Sequence, residues 1–341
     1  SDLALAAPQL ETKSLARLRA DLEAAPTDAL AVADIPEADR DHATSFARSL
    51  GVSVEYLRER NPEALRLFSV MGLLPGGVLA EDLDAVRGDG WTDLMNTLVR
   101  YSLIEREVLE GRDYYYPFPF VAAYAERLVE AGDRAGFCGR ILKRCGELSR
   151  SIYNDLLGEN DETARFLFTI HESNIRAAMT GERMAAVDDE ALMTAAIDQI
   201  TYSFPAILLV TDRLEDGRRF AEAALPLCQT LKVQKGEANT LFVLGELRVR
   251  LADLDGAQAA YDGALPIYRD IKKRVGEANT LKALGDLRAR LDDFDGAQAA
   301  YDGALPIYRD IKARVGEANT LNALGDLRVR LADLDGAQAA Y

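Results

Sequence analysis

The feature that most constrains the fold is self-similarity: a block of 40 residues recurs three times toward the C-terminal end. The first copy begins at Lys232 and contains GEANTLFVLGELRVRLADLDGAQAAYDGALPIYRDI; the second begins at Lys272, and the third begins at Lys312 and reaches Tyr341. The first two agree at 31 of 40 positions and therefore share one structure. A repeating unit of this size buries its apolar face against its neighbours rather than within itself, which gives a stacked solenoid. Each unit predicts two helices. In the second copy, Leu281, Leu284, Leu287 and Leu291 stand at helical spacing from Glu277 to Arg290. The stretch Asp292 to Gly296 breaks that helix, and Asp295 is expected to cap the next, from Ala297 to Lys312. Ala297, Ala300 and Ala304 form a small face, Tyr301 fills the space between helices, and Pro306 is expected to kink or tighten its helix by removing a donor. The stretch from about Leu192 to Leu231 is a degenerate earlier copy, since Leu225-Pro226 aligns with Leu265-Pro266.

The unit resembles the tetratricopeptide repeat. Leu284-Gly285, Ala297, Tyr301 and Ala304 stand at that family's spacing of glycine, plus 12, plus 16 and plus 19. Six residues are added to the usual 34, as in the longer subclass of kinesin light chains and Pins-like scaffolds, and Arg309 occupies the family's final proline position. The resemblance implies a right-handed superhelix whose first helices line a groove for a protein or peptide ligand. The implied groove positions are Asn239, Phe242, Glu246, Val249 and Arg250; Asn279, Lys282, Asp286, Ala289 and Arg290; and Asn319, Asn322, Asp326, Val329 and Arg330. The series Phe242, Lys282, Asn322 changes chemistry inside an otherwise copied unit; tuning to a ligand and free surface drift both account for it. The recurring Asn239, Asn279 and Asn319 suit backbone recognition through a donor and an acceptor, or capping of the helix start. Glu246 with Arg250, Asp286 with Arg290 and Asp326 with Arg330 are spaced as i, i+4 ion pairs.

Before the repeats the chain does not repeat. Arg40 to Arg58 predicts an amphipathic helix with a break at Gly51, and Pro62 opens another. Pro75-Gly76-Gly77 is a turn, followed by a helix near Leu79 to Val86 and a third from Trp91 to Tyr101. Ser102 to Val108 and Tyr114 to Pro117 predict a hairpin around Glu110 to Asp113. Three helices and a hairpin describe a winged helix. This stretch resembles the winged-helix domain of the STAND signal-transduction ATPases, the group with the NB-ARC module. The resemblance is carried by Ser49 to Leu57, Pro62 to Phe68, Met71 to Gly76, Leu94 to Leu103 and Tyr116 to Ala125. Phe118-Pro119 stands where that family usually has a His-Asp or His-Pro pair. His171 to Ala178 resembles the linker motif that follows in bacterial members, and Arg213 to Leu225 the next helix pair.

Charge and motifs narrow the function. A net charge of −16 disfavours sequence-independent binding of nucleic acid or anionic membrane, and the third winged-helix element carries only Arg100 against Asp93. There is no GxxxxGK[ST], GxSxG, HExxH or EF-hand loop, and no CxxC pair. The expectation is that this chain has no catalytic residues and holds no cofactor or metal. Cys138, Cys145, His171 and Trp91 are expected to be structural. Phe204 to Val210 is the longest apolar run and too short for a bilayer, so the chain is expected to be soluble and cytoplasmic. Both ends enter or leave mid-element, as in a fragment.

The expected architecture is mainly α: a helical lead-in at 1–39, a winged helix at 40–130, a helical linker at 131–191 and tetratricopeptide repeats at 192–341. The resemblance implies the sensor and regulatory region of a bacterial STAND ATPase, in a setting such as defence. Repeats would bind the trigger and the winged helix would relay it to an upstream ATP/ADP-binding domain in an oligomerising parent. The alternatives are a constitutive scaffold and a repeat-containing transcriptional regulator.

Overall fold

The computed structural model describes residues 40–158 and 160–331. The expected lead-in at 1–39 and the second helix of the last repeat lie outside the described residues. Within them the chain is mostly helical with one small three-stranded sheet. It divides into two compact units, one of residues up to 148 with 162–193, the other of 149–161 with residues from 194 onward.

In the first unit, α1 (Arg40–Arg60) runs unbroken through Gly51, against the expected interruption. Pro62 at the first turn and Asn61, whose Oδ1 accepts from Ala64 N at 3.1 Å, start α2 (Pro62–Gly72). The Pro75–Gly77 turn leads into β1 (Val78–Leu79), a short strand that was not expected, then into the expected helix, α3 (Ala80–Arg87), and α4 (Thr92–Arg100). The hairpin β2 (Glu105–Leu109) and β3 (Arg112–Tyr116) closes on Glu110-Gly111, both at positive φ, a tighter turn than the four residues expected. The sheet order is β1-β3-β2, all antiparallel, with Val78 opposite Tyr115 and Glu105 opposite Tyr116. Then follow α5 (Pro119–Arg127), α6 (Ala131–Leu156), α7 (Asp161–Ala178), α8 (Gly181–Ala185) and α9 (Glu190–Val210), of which the end of α6 from Ser149 and α9 from Thr194 belong to the second unit. Leu67, Phe68, Met71, Leu83, Met95 and Leu98 are fully buried in this core.

The helix α9 contains the apolar run Phe204 to Val210. It is the one described helix long and apolar enough to cross a membrane by length and composition, and 61% of its most apolar window is buried within the protein. That burial is what the core helix of a folded protein shows.

In the second unit, helices of equal length alternate: α10 (Leu214–Thr230), α11 (Gln234–Arg250), α12 (Leu254–Asp270), α13 (Arg274–Arg290), α14 (Phe294–Asp310) and α15 (Arg314–Arg330). One packing motif recurs. The Tyr301 ring sits where a Cβ on Gly285 would lie, 2.4 Å from Cε1, and Tyr261 does the same at Gly245 at 2.3 Å. The missing side chain therefore lets two helices close on a tyrosine, which Ala297, Leu305, Leu324 and Leu327 surround. The cap differs from expectation: Asp293, not Asp295, accepts from Gly296 N at 3.0 Å, because Phe294 enters the helix and packs on that cluster. Pro226, Pro266 and Pro306 do not interrupt their helices; each lies on the solvent side, where the orphaned carbonyl meets water.

Every described turn between these helices pivots on one left-handed residue: Asp212, Lys232, Ala252, Lys272, Asp292 and Lys312, with φ from 56° to 62°. A Cβ in that region costs about 1 kcal/mol. Ala252→Gly is therefore expected to raise stability by about 0.5–1 kcal/mol, read as a higher urea midpoint; an unchanged or lower midpoint contradicts the turn geometry.

Candidate functional site

The recurring asparagines are not free. Asn239 Oδ1 accepts from the Tyr268 hydroxyl at 2.8 Å and its Nδ2 donates to the Asp198 carbonyl at 3.1 Å; Asn279 Oδ1 accepts from Tyr308 at the same 2.8 Å. Neither caps a helix start. Each ties a first helix to the second helix of its unit, and Asn279 keeps its amide hydrogens uncommitted. Asn319 is exposed.

The expected i, i+4 pairs Glu246–Arg250 and Asp286–Arg290 do not form; the carboxylates take other partners. Glu246 accepts from the Tyr261 hydroxyl at 2.5 Å, and Asp286 from Tyr301 at 2.9 Å and from Lys282 at 2.6 Å. Arg250 instead reaches back to Asp212 at 3.0 Å and Arg330 to Asp292 at 3.1 Å. Ala252 occupies the equivalent place for Arg290, which makes no ion pair among the described residues. The acidic partners lie one helix pair earlier because a long guanidinium at the end of a helix meets the neighbouring turn more readily than its own preceding turn. Burial first, then the facing carboxylate, raises the pKa of Tyr261 and of Tyr301. Burial, then Asp286, pushes Tyr308 up to about 12. All three hydroxyls stay protonated and donate. Phe242 is half-buried among Val243, Leu247 and Tyr261; Asn322 and Asp326 are exposed.

Three of the expected groove residues, Asn239, Phe242 and Asn279, line a cavity of about 610 Å³ within the second unit. Its other walls are Tyr153 and Arg150 from the end of α6, Asp198, Gln199, Tyr202 and Ser203 from α9, Lys235 from α11, and the turn from Tyr268 to Gly276. Tyr202 lies nearly parallel to Phe242, ring centres 6.5 Å apart, with Tyr153 edge-on to Tyr202 at 5.7 Å. Lys235 pairs with Asp198 at 2.8 Å and Arg274 with Glu277 at 2.7 Å. Arg150, Tyr153, Asp198, Tyr202, Lys272 and Lys273 fall outside the expected groove. The sequence signal available for Lys235 and Lys273 was their replacement by Val275 and Ala313 one copy on.

A second polar cluster lies in the first unit. Asp82 is buried; its Oδ1 accepts from Arg144 Nε at 2.9 Å, and its Oδ2 lies 3.3 Å from His171 Nε2. Burial pushes the Asp82 carboxyl up, but His171 and Arg144 together outweigh it and hold it below the usual carboxylate range. Three residues beyond His171 on α7, Asn174 grips the Pro75–Gly77 turn: Oδ1 accepts from Gly76 N at 2.8 Å and Nδ2 donates to Gly77 O at 2.7 Å. Cys138 and Cys145 are buried free thiols, and burial raises both. Trp91 is half-exposed, donating to Asp84 Oδ1 at 2.7 Å. Among the described residues no three His, Cys, Asp or Glu side chains are grouped to hold a metal ion.

No family model matches the chain, and no curated protein matches it. Among solved structures, BtubC (BKLC) from P. vanneervenii is 19% identical, aligned over 62% of this chain and 87% of its own, with a TM-score of 0.44. A Signal Transduction ATPase with Numerous Domains protein with a tetratricopeptide repeat sensor, from Pyrococcus horikoshii, is 13% identical over 99% of this chain, with a TM-score of 0.39. The chain spans 58% of that protein's length. Similarity at this level assigns no family.

Proposed function

We propose that the chain is the sensor and regulatory region of a STAND signal-transduction ATPase. Its repeats bind a protein or peptide trigger, and its winged helix relays binding to an upstream nucleotide-binding domain that carries the ATP/ADP. Catalysis belongs to that upstream domain; this chain's own residues hold, orient and transmit. The observation that carries the reading is a constant frame with a variable lining. The Gly285–Tyr301 contact and the Asn279–Tyr308 bond have counterparts in Gly245–Tyr261 and Asn239–Tyr268, while Phe242, Lys282 and Asn322 differ at one position of that frame. Frame residues hold helices; the residue that varies between them is free to serve a ligand. The order of helices, hairpin and helical segment before the repeats supports the hinge.

The test uses the full-length parent: partner capture and ATP turnover are measured with Lys282→Ala and Arg290→Ala together. Neither side chain holds two helices together, so the fold is expected to remain. Partner binding is expected to fall about tenfold, by analogy with loss of two charged contacts at an interface rim or core, with trigger-dependent turnover falling alongside. Unchanged capture and turnover contradict the groove reading.

A further inference from the structure

The cavity has a charge opposite to that of the whole chain. Five cations line it, Arg150, Lys235, Lys272, Lys273 and Arg274, against the single carboxylate of Asp198, in a protein of net charge −16. Two of the cations are neutralised by Asp198 and Glu277. Arg150, Lys272 and Lys273 have no ion pair or side-chain hydrogen bond among the described residues. Three uncompensated positive charges held around one concave space raise the local potential and favour an anion.

The lining also specifies a body for that anion. Tyr153, Tyr202 and Phe242 supply aromatic wall. Asn279 offers an amide donor, and Asp198 Oδ1 is buried without a hydrogen-bond partner, which a hydroxyl or amino group on the ligand would satisfy. The volume, about 610 Å³, lies in the range of about 300–1,000 Å³ typical of small-molecule sites.

The internal copies decide between a compact ligand and an extended one. A peptide running along the groove meets equivalent positions in successive repeats. Here the distinctive groups are confined to one junction: Lys235 becomes Val275 and Val315, Phe242 becomes Lys282 and Asn322, and Lys273 becomes Ala313. Arg150 and Tyr153 come from outside the copied units, and Tyr202 is the counterpart of Phe242 in the degenerate earlier copy. We propose that this cavity is a binding site for a compact organic polyanion: two or more phosphate or carboxylate groups on an aromatic or apolar body bearing one hydrogen-bond donor. It is distinct from the trigger-binding function, although the two would share Asn239, Phe242 and Asn279, so a bound anion would compete with any partner reaching that end of the groove.

The test titrates the chain at low salt with pyranine, a hydroxypyrene trisulfonate whose fluorescence reports binding. It requires neither trigger nor ATPase domain, so its outcome is independent of the sensor reading. Saturable binding is expected, weakened at least about tenfold by Lys272→Gln with Lys273→Ala, the loss of two charges at about 0.7 kcal/mol each. Lys273→Ala copies Ala313, so the repeat frame accepts it. Arg150→Gln, on a separate exposed side chain, is expected to weaken binding in the same direction. Lys312→Gln, the equivalent of Lys272 one junction on, is expected to leave binding unchanged. Displacement by ADP identifies phosphate as the recognised anion, and displacement by citrate identifies carboxylate. Absence of saturable binding, equal binding by the Lys272/Lys273 variant with its helical circular dichroism intact, or equal loss in Lys312→Gln overturns the proposal.

Discussion

Gly72→Ala is expected to destabilise the first unit by about 3 kcal/mol, the upper end of what inserting a methyl group into a packed interior costs. Gly72 ends α2, where it crosses α5. A Cβ there would lie 2.2 Å from Glu126 N, 2.7 Å from Ala125 C and 2.8 Å from Ala122 O. All three are backbone atoms, so no side chain can swing aside and α5 itself must move. That shift would loosen the packing of α5, which buries Ala122 and Ala125, on α2, which buries Phe68 and Met71. The gain in helix propensity from glycine to alanine, about 1 kcal/mol in a helix interior, is too small to compensate. The chain has one tryptophan, Trp91, in this unit, so its fluorescence follows this transition separately from the helical signal of the repeats. A lower midpoint for Trp91, with little change in the repeats, is the expected result. Gly132→Ala is the control: a Cβ there meets nothing within 4 Å, and no loss is expected. Equal midpoints for wild type and Gly72→Ala would mean that α2 and α5 do not pack this closely.

How far the sequence revealed this molecule depended on whether the relevant partners were near in sequence or repeated. The helix pairs were legible because three copies agree, and the fit of Tyr301 to Gly285 followed from their constant offset. The asparagine bonds were equally available, since Asn239 with Tyr268 and Asn279 with Tyr308 recur 29 residues apart, yet each residue read alone suggested a groove or a cap. The cap itself was ambiguous: Asp292, Asp293 and Asp295 are all plausible, and only the packing of Phe294 selects Asp293. The strand Val78–Leu79 carries no periodicity in two residues, and its pairing with Tyr114 and Tyr115 spans more than thirty residues. The cavity was least legible, because its cations and rings come from the end of α6, from α9 and from one repeat junction. Charges distributed in this way disappear into a total of −16.

Arg144→Leu is expected to cost about 3 kcal/mol, because it strips a buried carboxylate of its guanidinium partner. The Asp82 side chain is only 4% exposed, while Arg144 is 31% exposed, which places the cost at the lower end for a broken buried pair. The cluster joins α3, through Asp82, to α6, through Arg144, and to α7, through His171. It therefore closes the same elements that Asn174 fastens to the Pro75–Gly77 turn. The sign of the pH dependence follows from the depressed Asp82 pKa. A carboxyl more acidic in the folded state contributes stability that is complete above the unfolded value of about 4 and is lost as pH falls through the lower folded value. Removing Arg144 shrinks that depression, so the acid limb of stability should move to higher pH as the overall stability falls. Asp84, two residues from Asp82, accepts the Trp91 hydrogen bond, so an acid titration of tryptophan fluorescence reads the same helix. Glu147→Gln is the matched control: Glu147 meets Arg144 Nη1 at 3.5 Å on the exposed side, and its loss should leave the acid midpoint where it is. An acid midpoint unchanged in Arg144→Leu would show that Asp82 is not held ionised by Arg144, and that burial rather than pairing governs this part of the core.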